Sequence, residues 1–431
     1  MVNDTANFIA GFGIIPNDWS CKTANEICTK ISKGTTPPKS EISNDGKIPF
    51  LRVNNLTFHG HLALDSDFIF VSKESHENFL SRSMAFPNDI LMNIVGPPLG
   101  KTALLDDSYP EYNMNQAIVF YRLQKNLVDS KYFLEFLNSF KAQQWLQSRS
   151  KKTSGQQNLT IEICKELPII LPSLLEQKKI AQILSTWDQV ISATEKLLKN
   201  SQQQKKALMQ QLLTGKKRLL DENGERFSGD WNTATLGEIG EIKSAGVDKK
   251  IVDGEIPIRL LNFTDVFKRN FIYSDELNHW VTAPISKVES CDVRKGDVFF
   301  TPSSETRDET GIPAVAAEDI PNCCYSYHIV RFRISEQWDL NFKAYAFTAS
   351  NFRKQIDRLA DGSGQRYVVS QDNFRSIIVH YPNFEEQVAI GKVLKSAEDE
   401  IHFLQRELDC LKQEKKALMQ QLLTGKRRVK V

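Results

Sequence analysis

The sequence predicts an α+β protein built of two α/β globules joined by two long helices, which pair antiparallel as a coiled coil under an approximate twofold. Three observations lead there. The twelve residues KKALMQQLLTGK stand at 205–216 and again, letter for letter, at 415–426. The stretch before each copy carries apolar residues at the four-three spacing of a coiled-coil seam. Upstream of each stretch lies a β-rich, turn-rich segment, and the two segments share landmarks but little else.

The residue count of 431 allows two or three folding units at roughly 150 residues each. A hydrophobic content of 41% with 25% charged residues is ordinary for a soluble globular chain. The formal charge of +2 is nearly neutral, so affinity for nucleic acid has to come from local basic patches. The chain has no apolar run of about 18 residues, and MVNDTANFIAGFG lacks the basic start and apolar core of a signal peptide. The expectation is therefore a cytoplasmic protein without a membrane. The seven cysteines form no CxxC pair and include adjacent Cys323 and Cys324, a pattern of reduced, buried thiols and not of a disulfide framework or structural zinc. HGH at 59–61 has no second ligand cluster and reads as a loop or strand end, so no metal site is expected.

Taken in chain order, residues 1–170 form the first globule, 171–218 the first repeated helix, 219–380 the second globule and 381–431 the second repeated helix. The globules share Asp18-Trp19 with Asp230-Trp231, Glu26-Ile27 with Glu238-Ile239, GKIP at 46 with GEIP at 254, NDILM at 88 with GDVFF at 296, and SGQ at 154 and 363. In the helices, Pro172, Glu176, Gln177, Ile180, Leu184, Ile191, Leu198 and Gln203 recur without a gap as Pro382, Glu386, Gln387, Ile390, Leu394, Ile401, Leu408 and Gln413. The seam of the second helix is interrupted only by Lys415, and that of the first is weaker in its middle. Gly215 and Gly425 sit at the helix ends, followed by Lys and Arg as the helix dipole favours. A helix that carries the chain away from one globule must be answered by one that returns, so the helices pair antiparallel. At 1.5 Å per residue about 40 helical residues span roughly 60 Å, which would set the globules at opposite ends of a stiff rod.

Chemistry of its own is hard to find in the chain. GPPLGKT at 96–102 has three residues between its glycines where a phosphate-binding loop needs four, and it reads as a β-turn followed by a strand. Neither Pro37-Pro38 nor Pro97-Pro98 has the flanking Asn/Asp and aromatic residues of an amino-methyltransferase. No catalytic residue is assigned.

The order globule, helix, globule, helix, with EQxxI openings at Glu176-Gln177-Ile180 and Glu386-Gln387-Ile390 and LLTGK at both helix ends, resembles the DNA-specificity subunit of Type I restriction-modification systems over almost the whole chain. The resemblance implies two target-recognition domains, each reading half of a split, asymmetric sequence in double-stranded DNA. It implies two copies of an N6-adenine methyltransferase subunit that carries S-adenosylmethionine, and a motor/nuclease subunit that uses ATP and Mg. No cofactor is then expected in this chain, which would be a non-catalytic subunit. Two copies of one partner need one docking surface twice, whereas an asymmetric target needs two different readers. Ile183, Val190 and Leu197 widen the seam and Leu213 and Leu423 lie off it; with Met209, Gln210, Gln211, Met419, Gln420 and Gln421 they are the docking candidates. The alternative is that they pack on the chain's own globules.

Base readers are expected among Asn, Gln, Arg and Lys on turns beside strands. In the first globule these are Lys33, Lys39, Arg52, Asn54, Asn55, Lys101, Lys151, Lys152, Gln156, Gln157 and Asn158; in the second, Lys249, Lys250, Arg259, Asn262, Arg307, Gln365, Arg366 and Tyr367. The leading pair is the SGQ loop, whose next residues are QN in one globule and RY in the other. A reading from another class stays open, a cytosolic coiled-coil scaffold whose globules bind proteins and leave no bipartite footprint on DNA.

Overall fold

The computed structural model describes residues 7–43, 47–63, 68–153, 156–244, 246–267, 269–363 and 366–430. Two helices of 39 residues, Leu174–Leu212 and Phe384–Leu422, follow the predicted seams, and their starts at 174 and 384 keep the shift of 210. Left-handed Gly215 (φ 67°) and Gly425 (φ 72°) turn the chain just beyond each helix, a conformation only glycine adopts cheaply. The chain divides into two compact units, Met1–Glu195 with Arg406–Val431 and Lys196–Gln405, so the division falls inside both helices and each unit holds one globule with part of each helix.

Within the first unit the helices run antiparallel, because Asp188 pairs with Lys415 at 2.7 Å while Glu195, further along, pairs with the earlier Lys412 at 2.8 Å. The second unit shows the same direction through Lys205 to Glu398 at 2.8 Å and Ser201 to Glu400 at 3.2 Å. Lys415, the break in the seam, is thereby explained. Together with Lys205 it is a half-buried cation matched to a carboxylate of the opposing helix, a pairing that fixes register where apolar residues would permit slippage. A residue of the globule completes each cluster: Glu135, 3.1 Å from Lys415, in the first unit, and Tyr345, whose hydroxyl donates to Glu398 at 2.7 Å, in the second.

The first globule has an antiparallel sheet in the order Thr102–Leu104, Ile90–Asn93, Ile118–Leu123, Cys28–Lys33, and a second, mixed one in the order Asn113–Met114, Ile48–Leu51, Ile69–Val71, Ile42–Ser43. The other globule repeats the plan with five strands, Gly240–Lys243, Val330–Ile334, Val298–Phe300, Pro313–Ala316 and Phe271–Ile272, and with four, Trp280–Ala283, Ile256–Leu261, Ile320–Tyr325 and Asp292–Val293. From the Ser130–Asn138 helix onward the elements recur at the same shift, although few residues do: Ser130–Asn138 answers Leu340–Ala346, Phe140–Arg149 answers Ser350–Leu359, and Ile161–Glu166 answers Gln371–Ser376.

The shared motifs meet in one clasp per unit. Arg428, beyond the second helix, holds Glu176 at 2.7 Å and Asp18 at 2.7 Å, lies over Trp19, and shares Glu176 with the Trp19 indole, which donates to it at 3.2 Å. Arg218 likewise holds Glu386 at 2.6 Å and lies over Trp231. These arginines were expected to complement the helix dipole; they instead neutralise a glutamate buried at the start of the opposing helix. The adjacent Gln177 and Gln387 side chains accept from the backbone N–H of Asp129 and Asp339 and donate to the carbonyls of Pro172 and Pro382. The EQ pair therefore locks each long helix to the globule before it.

Four expectations are corrected by burial. Leu213 and Leu423, assigned to a partner surface, are 3% and 2% exposed and belong to the apolar cores of their own units. Asn55 is fully buried, with its carboxamide oxygen accepting from the Arg52 backbone N–H, and Asn262 is 6% exposed and bonded to the Leu260 carbonyl. None of the four can meet a macromolecule without leaving its core.

Candidate nucleic-acid interface

Each globule carries, apart from its main sheets, a three-stranded ribbon. In the first unit the hairpin Lys151–Thr153 and Gln156–Asn158 adds the strand Val95–Gly96, with Gln157 opposite Gly96 and Asn158 opposite Val95. In the second unit Asp361–Ser363 and Arg366–Val368 add Ser303–Ser304, with Tyr367 opposite Ser304 and Val368 opposite Ser303. The fold thus brings the GPPLGKT segment, read as a turn and strand, beside the SGQ hairpin. Residues 154, 155, 364 and Gln365 lie outside the described residues, as do the side chains of Lys152 and Gln156.

Around the first ribbon Lys151 is exposed, Gln157 and Asn158 are half-buried, and half-buried Lys101 sits over Phe58 at 5.8 Å. A side chain on Gly96 would meet the Pro98 backbone at 2.6 Å, so this strand is restricted to glycine there. Lys33 and Lys39 are exposed on the end of a strand and on a 3-10 turn, and Asn54 is exposed beside half-buried Arg52. HGH at 59–61 is a loop in which Thr57 Oγ1 accepts from the backbone of both His59 and His61. Among the described residues no group of three or more His, Cys, Asp or Glu is placed to hold a metal.

Around the second ribbon, Arg366 is exposed and donates through Nη2 to Ser303 Oγ at 2.8 Å, and Arg307 lies over the Tyr367 ring at 4.8 Å. Burial, and then the charges of Lys249 and Arg366, push the neighbouring His328 imidazole below its usual range. Lys249 therefore belongs to the same cationic rim; Lys250 is exposed and paired with Asp248 at 2.8 Å. Arg259 points elsewhere, donating to the Ser274 carbonyl at 2.6 Å beneath Trp280. Phe58, Ser303, His328 and the stacked pair Phe263 and Phe267 were missed by the sequence reading, since apolar and small residues carry no base-reading signal until the fold sets them beside the ribbon.

On the helices, Val190 and Leu197 are 44% and 55% exposed and Gln210, Gln211, Gln420 and Gln421 are exposed, whereas Ile183, Met209 and Met419 are half-buried against their own cores. Exposed Leu175, Val388 and Phe403 were not anticipated. No helix among the described residues is long and apolar enough to cross a membrane.

Comparison with known proteins agrees with this architecture. Residues 16–202 and 228–413 each match the Type I restriction modification DNA specificity domain. The chain is 29% identical to the type I restriction enzyme MjaVIII specificity subunit of Methanocaldococcus jannaschii over 71% of this chain and 72% of that protein. It is 26% identical to a protein of the same organism, provisionally assigned as the MjaX specificity subunit, over 97% and 96%. The solved S subunit of a Type I system from M. genitalium shares the fold at a TM-score of 0.57, with 18% identity over 98% of this chain and 97% of that one. With two matched domains covering most of its length, the chain belongs to the Type I restriction-modification DNA specificity family and is a specificity subunit, the component that recognises DNA sequence.

Proposed function

We propose that the two units each read one half of an asymmetric, bipartite target in double-stranded DNA, using the ribbons Gln156–Asn158 and Arg366–Val368, and that each unit docks one copy of an adenine-N6 methyltransferase subunit. The partner would supply S-adenosylmethionine, and a motor/nuclease subunit using ATP and Mg would complete the cleaving complex in the cytoplasm. One observation supports this above the rest. The two ribbons occupy equivalent places, yet QQN stands in one where RYV stands in the other, while the dodecamer is both identical in sequence and identical in burial, residue for residue. Its buried leucines would be kept alike by packing. Its exposed residues, Lys206, Ala207, Gln210, Gln211 and Lys216 and their copies Lys416, Ala417, Gln420, Gln421 and Lys426, have no internal reason to be alike. A common external partner supplies one, and unlike half-sites account for the unlike ribbons.

Mapping modified adenines in cells with and without this chain tests the reading. A split motif with two unlike halves should appear only when the chain is present; a single continuous motif, or modification that ignores the chain, would refute it.

A further inference from the structure

We propose that the cleft beside Arg366 in the second unit reads a G·C base pair, with Arg366 on the guanine and Glu305 on the cytosine. The proposal rests on the reading of this unit as a half-site reader and adds to it a specificity-determining residue and the base pair it selects. The cleft has a volume of about 550 Å³ and is walled on one side by Phe263 and Phe267, stacked with ring centroids 5.3 Å apart. Arg366, Ser303 and Glu305 face it from the ribbon and the loop that follows the Ser303–Ser304 strand.

A surface that only followed the phosphate backbone would exclude a carboxylate, since every phosphate repels it. Glu305 is exposed and makes no hydrogen bond or ion pair among the described residues, even though Arg366 lines the same cleft. Its loop is nevertheless firmly held. Arg353 donates to the carbonyls of Asp308 at 2.9 Å, Thr310 at 2.7 Å and Gly311 at 2.9 Å. Arg307 donates to the Asp357 carbonyl at 2.7 Å, and the Thr306 N–H to Ser304 Oγ at 3.4 Å. A pinned loop presenting an unpaired carboxylate is a preorganised acceptor.

Arg366 is its counterpart. One nitrogen of its fork is steadied by Ser303, and among the described residues the other donors have no partner, which leaves them for a ligand. In the major groove guanine offers two acceptors, O6 and N7, and its paired cytosine offers the N4 donor next to them. A cation beside a carboxylate complements that edge. The phenylalanine wall excludes water from one side, which strengthens both contacts. In the first unit the residue at the matching place, directly after Val95–Gly96, is Pro97, so this readout belongs to one half-site only.

The test is selection from a random duplex pool by the full chain in complex with its methyltransferase, comparing wild type with Glu305→Ala, Glu305→Gln and Arg366→Ala. One half of the wild-type motif should contain a fixed G·C pair. Arg366→Ala and Glu305→Ala should lose discrimination at that pair by roughly 10- to 100-fold, and Glu305→Gln, which keeps a weaker acceptor oxygen, should lose less, while the other half stays sharp, which also shows the variant is folded. Glu305 variants that select the unaltered motif, or that weaken all sequences equally, would overturn the proposal and leave half-site reading intact. A wild-type complex that selects no split motif would remove the half-site reading and this proposal with it.

Discussion

Asn55 and Asn262 have the chemistry of base readers, but in the fold they organise equivalent turns, at 52–55 and 262–265, in the two units. The first takes the Arg52 backbone N–H on its side chain, and the second gives its own backbone N–H to Asp265. Residue type says that a side chain can hydrogen-bond; it does not say whether the partner is a base or a nearby backbone. Asn55→Ala should accordingly cost about 1 to 2 kcal/mol of stability, seen as a lower unfolding midpoint, with the selected DNA sequence unchanged. A relaxed sequence preference at normal stability would restore Asn55 to the reading surface. Leu213 and Leu423 teach the same lesson for apolar residues. Both fall outside the seam of the helix pair, and what covers them is the globule, whose packing no helical periodicity can reveal.

The long helices were legible in the sequence, because a helix of 39 residues displays its apolar period many times over, although they end at Leu212 and Leu422, short of the expected 218 and 431. The polar clusters in their seam were not, since Lys415 is separated in sequence from Asp188 and Glu135 by most of the chain. Lys415→Met would leave the Asp188 carboxylate beside the Glu135 carboxyl with no cation, and should cost about 2 to 3 kcal/mol, less than a fully buried pair because Asp188 keeps some solvent. Thermal or denaturant unfolding of the whole chain would read the loss; an unchanged midpoint would mean the lysine contributes nothing to register. The pH response follows from Glu135. Burial raises its carboxyl to about 7, with the Lys415 charge opposing and the Asp188 charge adding, so the folded protein holds a proton that the unfolded chain gives up near 4.5. The stabilisation from that proton is complete below 4.5 and is lost as the pH climbs through 7. Glu135→Gln, which cannot ionise, should flatten the dependence of the unfolding midpoint between about pH 4.5 and pH 7. A slope identical to wild type would show that Glu135 is already ionised in the fold. In the second unit Tyr345 fills this place with a hydroxyl that donates without titrating, so no such slope is expected there.

At the scale of the molecule, the contrast between what repeats and what diverges carries the functional account. Repetition extends beyond the helices to the clasp of Arg428 on Glu176 and Arg218 on Glu386, which explains why the tryptophan, Glu-Gln and the arginine after the glycine recur together. That grouping could not be read from the sequence, because its members lie at opposite ends of the repeat. Divergence runs through both globules and includes the place where the ribbons present QQN and RYV. Docking through the exposed part of the dodecamer predicts that Gln210→Glu and Gln211→Glu, made together with Gln420→Glu and Gln421→Glu, abolish capture of the methyltransferase, and that either pair alone leaves one copy bound. Mass measurement of the purified complex counts those copies; two copies on the fourfold variant would exclude this face. The central claim, that one chain holds two independent readers, is met most directly by sequencing modified adenines in cells expressing Gln157→Ala or Arg366→Ala. The account predicts that each substitution relaxes a different half of the motif and leaves the other untouched; relaxation of the same half by both, or of both halves by either, would contradict it.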